Sequence, residues 1–126
     1  MINDFQISEH FNLREFANSR GEVKLETELV NTLEELRQKL QGPMIIITSG
    51  YRSKADNEEL ATRLGWIEDG GLVSKDSQHM EGKAADIIAY NPNTRTYIPP
   101  TRVAEVASKL FSFVKAYEAH THVDVR

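Results

Sequence analysis

In Ser77-Gln78-His79-Met80-Glu81-Gly82-Lys83-Ala84-Ala85-Asp86 the chain passes from turn residues to strand formers. It carries a polar loop, spanning about 68–82, into a run of small and β-branched residues at 84–90 that reads as a strand, broken by Asn91-Pro92-Asn93. Gly82 allows a sharp turn between His79, at the end of the loop, and Asp86, three residues into the strand. Ala84, Asp86 and Ile88 share one strand face, which makes Asp86 a half-buried carboxylate among apolar neighbours. An unpaired carboxylate in that setting costs on the order of several kcal/mol, so it calls for a cation or hydrogen-bond donors. A metal ion would satisfy it, and so, more plainly, would Arg52, Lys83 or backbone amides.

Working outward, 44–48 (Met-Ile-Ile-Ile-Thr) is short, β-branched and bounded by turn residues, and predicts a central strand. Ser49-Gly50-Tyr51-Arg52 turns the chain, Ser53 caps a helix over 54–64, and Gly65 closes it. Upstream, Leu25, Leu29, Leu33, Leu36 and Leu40 line one face of a helix whose wet side carries Glu34, Glu35, Arg37 and Lys39, with Gly42-Pro43 as its stop. The opening segment through Phe11 and Phe16 reads as an irregular arm on the core. Downstream, Pro99-Pro100-Thr101 introduces a last helix, with Val103, Val106, Leu110 and Phe113 on its buried stripe. The closing His120-Thr121-His122-Val123-Asp124-Val125-Arg126 alternates, so His120, His122, Asp124 and Arg126 share a strand face opposite Thr121, Val123 and Val125. These elements predict an α+β fold with a small, mainly antiparallel sheet and helices packed on one side, in one domain over 1–126.

Composition narrows the chemistry. The 126 residues carry 15 Lys+Arg against 19 Asp+Glu, a formal charge of −4, which argues against a nucleic-acid binder relying on a basic face. Without cysteine there is no disulfide framework, no Cys-ligated zinc finger, no iron–sulfur cluster and no thiol nucleophile. The longest aliphatic run, 44–47, is far short of the ~20 residues a membrane span needs. The first six residues show neither a basic nor an apolar leader region, so no signal peptide is expected. Chemistry must come from His, Asp, Glu, Ser or Arg.

Four histidines are present, at positions 10, 79, 120 and 122. A His-x-His pair on one strand face can offer nitrogen to a metal or a substrate, though two exposed histidines would look the same. Arg52, at the turn after the 44–48 strand, is placed to reach over the sheet edge toward a carboxylate or a developing oxyanion, or simply to pair with Asp56 or Glu59. Trp66 reads as packing, Asp69-Gly70-Gly71 as a mobile turn, His10 as a loop residue, and Glu34-Glu35 and Glu58-Glu59 as solvated helix faces.

Taken together, Ser77-x-His79-x-x-Gly82-x-Ala84-x-Asp86 and the later His120-x-His122 resemble the zinc D-Ala-D-Ala carboxypeptidase family, within the lysostaphin, D-Ala-D-Ala peptidase and hedgehog group. Ser49-Gly50-Tyr51-Arg52 is similar to the turn carrying that family's substrate-side arginine. Phe11-Asn12-Leu13-Arg14-Glu15-Phe16 and His122-Val123-Asp124-Val125-Arg126 resemble the opening and the end of its small phage- and bacterial-type members. The resemblance implies a peptidase of peptidoglycan stem peptides, of D-Ala-D-Ala carboxypeptidase or endopeptidase type, with one zinc ion per chain on His79, Asp86 and His122. Two imidazoles and a carboxylate make a three-ligand zinc site with a fourth position for water, whose pKa zinc can lower to about 7.

The same resemblance makes Arg52 the oxyanion partner and Ser77, Arg52 and Tyr51 the substrate-binding candidates. Some members carry an acidic residue three positions before the last zinc histidine, and here that position is Ala119. Strand alternation puts His120 beside His122 as the proton-transfer residue, with Glu118 as the other candidate. The chain is expected to be a monomer that spans no membrane, binds no nucleic acid and meets the cell wall after lysis or by a non-classical export route. The alternative is a module of the same fold that binds peptide or protein without cleaving it.

Overall fold

Alternation in the 84–91 segment gives that strand one apolar face and one mixed face, and two of the three α-helices, over 27–39 and 100–107, pack on the apolar one. The computed structural model describes residues 4–126; the first three residues, part of the leader reading above, lie outside the described residues. Strands β1 (Met44–Ser49), β2 (Ala84–Asn91), β3 (Thr96–Ile98), β4 (Phe113–Ala116) and β5 (Thr121–Asp124) form one sheet in the order β1-β2-β5-β4, with β3 paired to β2. Every pairing is antiparallel. The α-helices are α1 (Thr27–Lys39), α2 (Lys54–Leu64) and α3 (Pro100–Ala107). The result is the α+β arrangement with a small antiparallel sheet that the sequence predicts. No helix among the described residues is long and apolar enough to cross a membrane.

Ile45, Ala85, Ile87, Ala89 and Val123 meet Leu29, Leu33 and Leu36 of α1 and Val103 and Ala107 of α3 in one buried cluster, which Phe11, Phe16 and Phe111 complete. Each large side chain buried this way contributes about 1.5–3 kcal/mol. The alternate residues of β2 and β5, Asp86 and His122 among them, therefore point away from that core. The opening arm is more ordered than its sequence predicts. Asn12 caps a 3-10 turn at Leu13–Phe16, and Glu15 reaches back to the Asn12 amide in a capping box.

Several boundaries differ from expectation. Leu25 precedes α1 and Leu40 follows it, although both pack against the core. Glu34 is not on a wet face: it accepts from Ser8 Oγ at 2.5 Å and from the His10 amide at 2.7 Å, and lies 2.6 Å from His10 Nδ1, pinning the arm to α1. Burial raises the Glu34 pKa, but these bonds outweigh it and hold the carboxyl below its ordinary value. Beyond Pro92 the chain returns as β3 through a turn in which Arg95 takes φ 56°, a hairpin that proline and asparagine had made look like a plain break.

The largest correction concerns 108–116. Helix α3 stops at Ala107, and Phe113, Val114, Lys115 and Ala116 form β4 instead of continuing the helix. Phe113 is thus exposed, not part of the helix's buried stripe, which is Val103, Ala107 and then Phe111. Pairing wins there: Ser112 donates to the Asp124 carbonyl at 3.0 Å, starting a ladder that a continued helix would forfeit.

Two glycines hold the site's loops against the arm. A Cβ on Gly50 would run into the Phe16 backbone. Gly82, at φ 69°, ends the 3-10 turn Gln78–Glu81, and a Cβ there would collide with the Lys24 carbonyl. Gly70, at φ 86°, meets nothing within 4 Å. Gly82→Ala is therefore expected to cost about 2–4 kcal/mol in urea unfolding, from strain plus collision, and Gly70→Ala only about 1 kcal/mol from strain. Equal losses would show that the Lys24 contact has no such weight.

Candidate metal centre

The antiparallel register pairs β2 with β5 so that Asp86 lies directly opposite His122. Directly opposed residues project to the same face, so a carboxylate and an imidazole 36 residues apart in sequence are brought side by side. His79 comes to them from the 3-10 turn before β2. Ser77 caps that turn, its Oγ accepting from the His79 amide at 3.3 Å. His79 Nε2 lies 3.4 Å, and His122 Nδ1 3.2 Å, from Asp86 Oδ1. One ligand atom from each of the three residues falls within 4.8 Å of the others, an arrangement that could hold a metal ion.

The outward nitrogens fix how the rings present themselves. His79 Nδ1 lies 2.8 Å from the Gly50 carbonyl, which can only accept, so Nδ1 carries a proton and Nε2 is left with its lone pair. His122 Nε2 lies 2.8 Å from Asp124 Oδ2, and a carboxylate there likewise requires the N–H on Nε2. Both free lone pairs then face the Asp86 carboxylate. Acceptor against acceptor is repulsive unless protons or a cation stand between them. Ligands about 2.1 Å from a tetrahedral zinc ion lie about 3.4 Å apart, close to the two separations seen here. The donor set and its spacing fit zinc.

Burial and hydrogen bonding compete at each group. Burial raises the Asp86 pKa, yet with protons on the facing ring nitrogens the hydrogen bonds and charges of His122 and His79 hold it well below the usual carboxylate range. Burial lowers the His122 pKa, but Asp86 and Asp124 outweigh it and push it up. Asp124 is fully buried; burial raises its pKa, and Arg126 and His122 bring it down. Arg126 closes on Asp124 through Nε at 2.9 Å and Nη2 at 2.8 Å. Arg126, Asp124 and His122 thus form a chain of charge-assisted contacts that ends at the cluster, the kind of outer partnership that orients a metal-binding imidazole.

Arg52 does not pair with Asp56 or Glu59. Asp56 is taken by Arg20 at 3.0 Å, and Arg52 Nη1 donates instead to Asn57 Oδ1 at 3.0 Å and Ser77 Oγ at 3.4 Å. Its amide donates to the His79 carbonyl at 3.1 Å, which ties the arginine turn to the histidine turn. Burial lowers the guanidinium's pKa while Asp86 and Asp56 raise it; arginine remains cationic throughout. Tyr51, whose amide donates to the Phe16 carbonyl at 2.7 Å, walls a cavity of about 380 Å³ together with Arg52.

The β4–β5 hairpin tip carries the last two candidates. His120 Nε2 stands 3.8 Å from Asp86 Oδ2, and its ring stacks on Tyr117 at 4.7 Å. Glu118 is exposed at the same tip and makes no ion pair or side-chain hydrogen bond with the cluster among the described residues. Strand β4 ends at Ala116 and β5 begins at Thr121, so Glu118 lies in the connection between them and shares no strand face with His122. Sequence reasoning gave no role to Asn57, Asp124 or Tyr117. The His122-x-Asp124 spacing is the one signal that could have found Asp124. Nothing local marks Asn57.

A family model described as Peptidase M15 matches residues 3–124. No curated protein matches the sequence. Zinc titrated into the metal-free protein is expected to bind at one equivalent. Asp124→Asn should bind it about 10–100-fold more weakly in a competition titration with a chromophoric chelator. Unchanged affinity would remove Asp124 from the site.

Proposed function

The chain belongs to the peptidase M15 family, and on that premise we propose that it hydrolyses a peptide bond in peptidoglycan stem peptides, using one zinc ion held by His79, Asp86 and His122. Members of the family are zinc-dependent peptidases. The observation that carries the reading is the His79–Asp86–His122 cluster, with the outward nitrogen of each imidazole committed to an acceptor and its other nitrogen turned inward.

Zinc, when bound, supplies an activated water and polarises the scissile carbonyl. The chain's own residues supply the remainder. Arg52 is held by Asn57 and Ser77 beside the cluster, where its guanidinium can neutralise the charge that develops on the carbonyl oxygen. Because that orientation is set before substrate arrives, little reorganisation is required during the reaction. Ser77 orients Arg52 and the histidine turn; its hydroxyl has no neighbouring base among its hydrogen-bond partners, which rules against a nucleophilic serine. Tyr51 forms the wall past which the substrate backbone runs. His120, partly exposed and stacked on Tyr117, gives or takes a proton at Nε2. Glu118 is at most an orienting neighbour.

Purified sacculi and defined stem peptides, incubated with zinc or with a chelator and followed by mass spectrometry, test this reading and locate the bond cut. Turnover should vanish with chelator and return with zinc. Arg52→Ala should lower kcat about 10²–10³-fold at unchanged zinc content. His120→Ala should lose about 10²–10⁴-fold and Glu118→Ala far less. The reverse ranking would move proton transfer to Glu118, and full activity with chelator would refute a metallopeptidase.

A further inference from the structure

Past Arg52 the start of α2 and the 66–81 loop enclose a second cavity, of about 580 Å³. Tyr51, Trp66 and Met80 provide its apolar walls, and Lys54 and Lys75 bring two ammonium groups to it. It adjoins His79 and Arg52 through three links. Met80 follows His79, Tyr51 precedes Arg52, and Asn57, which lines the cavity, accepts from Arg52 Nη1 at 3.0 Å.

The cavity's charges do not cancel. Of the two carboxylates on its lining, Glu58 and Glu81, the second lies 3.4 Å from Lys24, which is not on the lining. Among the described residues, Lys54, Lys75 and Glu58 form no ion pair; Lys75 Nζ sits 5.6 Å from the centre of the Trp66 ring. Two ammonium groups against one free carboxylate make a local cationic excess, with Arg52 just behind it, on a chain whose formal charge is −4. Such a pocket favours a carboxylate attached to an apolar body that can lie on Trp66 and Tyr51.

The loop that carries Lys75 is built to a fixed shape. Ile67 donates to the Val73 carbonyl at 2.9 Å, and Trp66 bridges Val73. Asn57, 2% exposed, donates through Nδ2 to the Ser74 carbonyl at 2.9 Å while its Oδ1 accepts from Arg52. One buried amide therefore fixes the loop next to Lys75 relative to the arginine of the proposed reacting centre. We propose that this cavity is the flanking substrate subsite, where Lys54 and Lys75 hold a free carboxylate of the residue next to the scissile bond. The proposal rests on the peptidase reading and names what distinguishes its substrates: a free carboxylate, whether on a side chain or at the peptide's end.

Zinc-loaded protein is assayed on stem peptides with the side-chain carboxylate free or amidated, and with the terminal carboxylate free or amidated. One of the two amidations should raise KM about ten-fold or more, and which one identifies the carboxylate. In Lys54→Gln/Lys75→Gln the free and amidated forms should show the same KM, with zinc stoichiometry as in the parent. Equal KM values for all forms in the parent would overturn the subsite, as would a preference that survives in the double variant. If no peptide is hydrolysed the peptidase reading fails, and equilibrium binding of the same peptides by calorimetry then decides the subsite. A Kd that rises about ten-fold on amidation in the parent, and not in the double variant, supports it; equal Kd values overturn it.

Discussion

The Asp86 carboxylate, set opposite His122 in the antiparallel register and 3.4 Å from His79 Nε2, is the constraint around which the rest of this protein is arranged. Its side chain is 15% exposed and faces two imidazole nitrogens, an arrangement that is unfavourable unless protons or a metal ion stand between them. The fold does not relieve this with a lysine or arginine. Arg52 is turned toward Asn57 and Ser77, and Lys83, three residues before Asp86, is not among its ion-pair partners within the described residues. The metal ion proposed above would supply that positive charge in a half-buried position.

Everything outside that carboxylate limits how the rings can move. Gly50 gives up a side chain to let the β1 turn approach Phe16, and its carbonyl then receives the His79 proton. Gly82 gives up a side chain to approach Lys24, which sets where the histidine turn ends and β2 begins. Arg126 and the buried Asp124 hold His122 from the other end of the chain. The opening arm, the β1 turn, the loop before β2 and the closing strand each contribute one contact. The match to the M15 family, over residues 3–124, includes all four of these segments up to Asp124.

Local chemistry was readable in the sequence wherever it was decisive by itself. Helix α2 begins after Ser53 and ends at Gly65, because a hydroxyl cap and a glycine stop act within a few residues. The half-buried Asp86 followed from strand parity alone. Strands β3 and β4, three and four residues long, were missed because short strands exist only through partners distant in sequence. Phe113 satisfies a helical stripe and a strand equally well, and only the pairing with Asp124 decides between them. The three candidate ligands were reached by resemblance. Their nitrogen choice was not, since it depends on Gly50 and Asp124, and Asn57 stayed invisible because its partners are a loop carbonyl and an arginine five residues away.

On the proposed function, one metal ion belongs between Asp86 and two imidazoles presented through different nitrogens. Crystallography of the zinc-loaded protein, with anomalous data collected at the zinc edge, tests it most directly. A single anomalous peak is expected about 2.0–2.2 Å from His79 Nε2, an Asp86 carboxylate oxygen and His122 Nδ1, with His122 Nε2 still bonded to Asp124. A peak elsewhere, or zinc ligated through His122 Nε2 with Asp124 released, would contradict it.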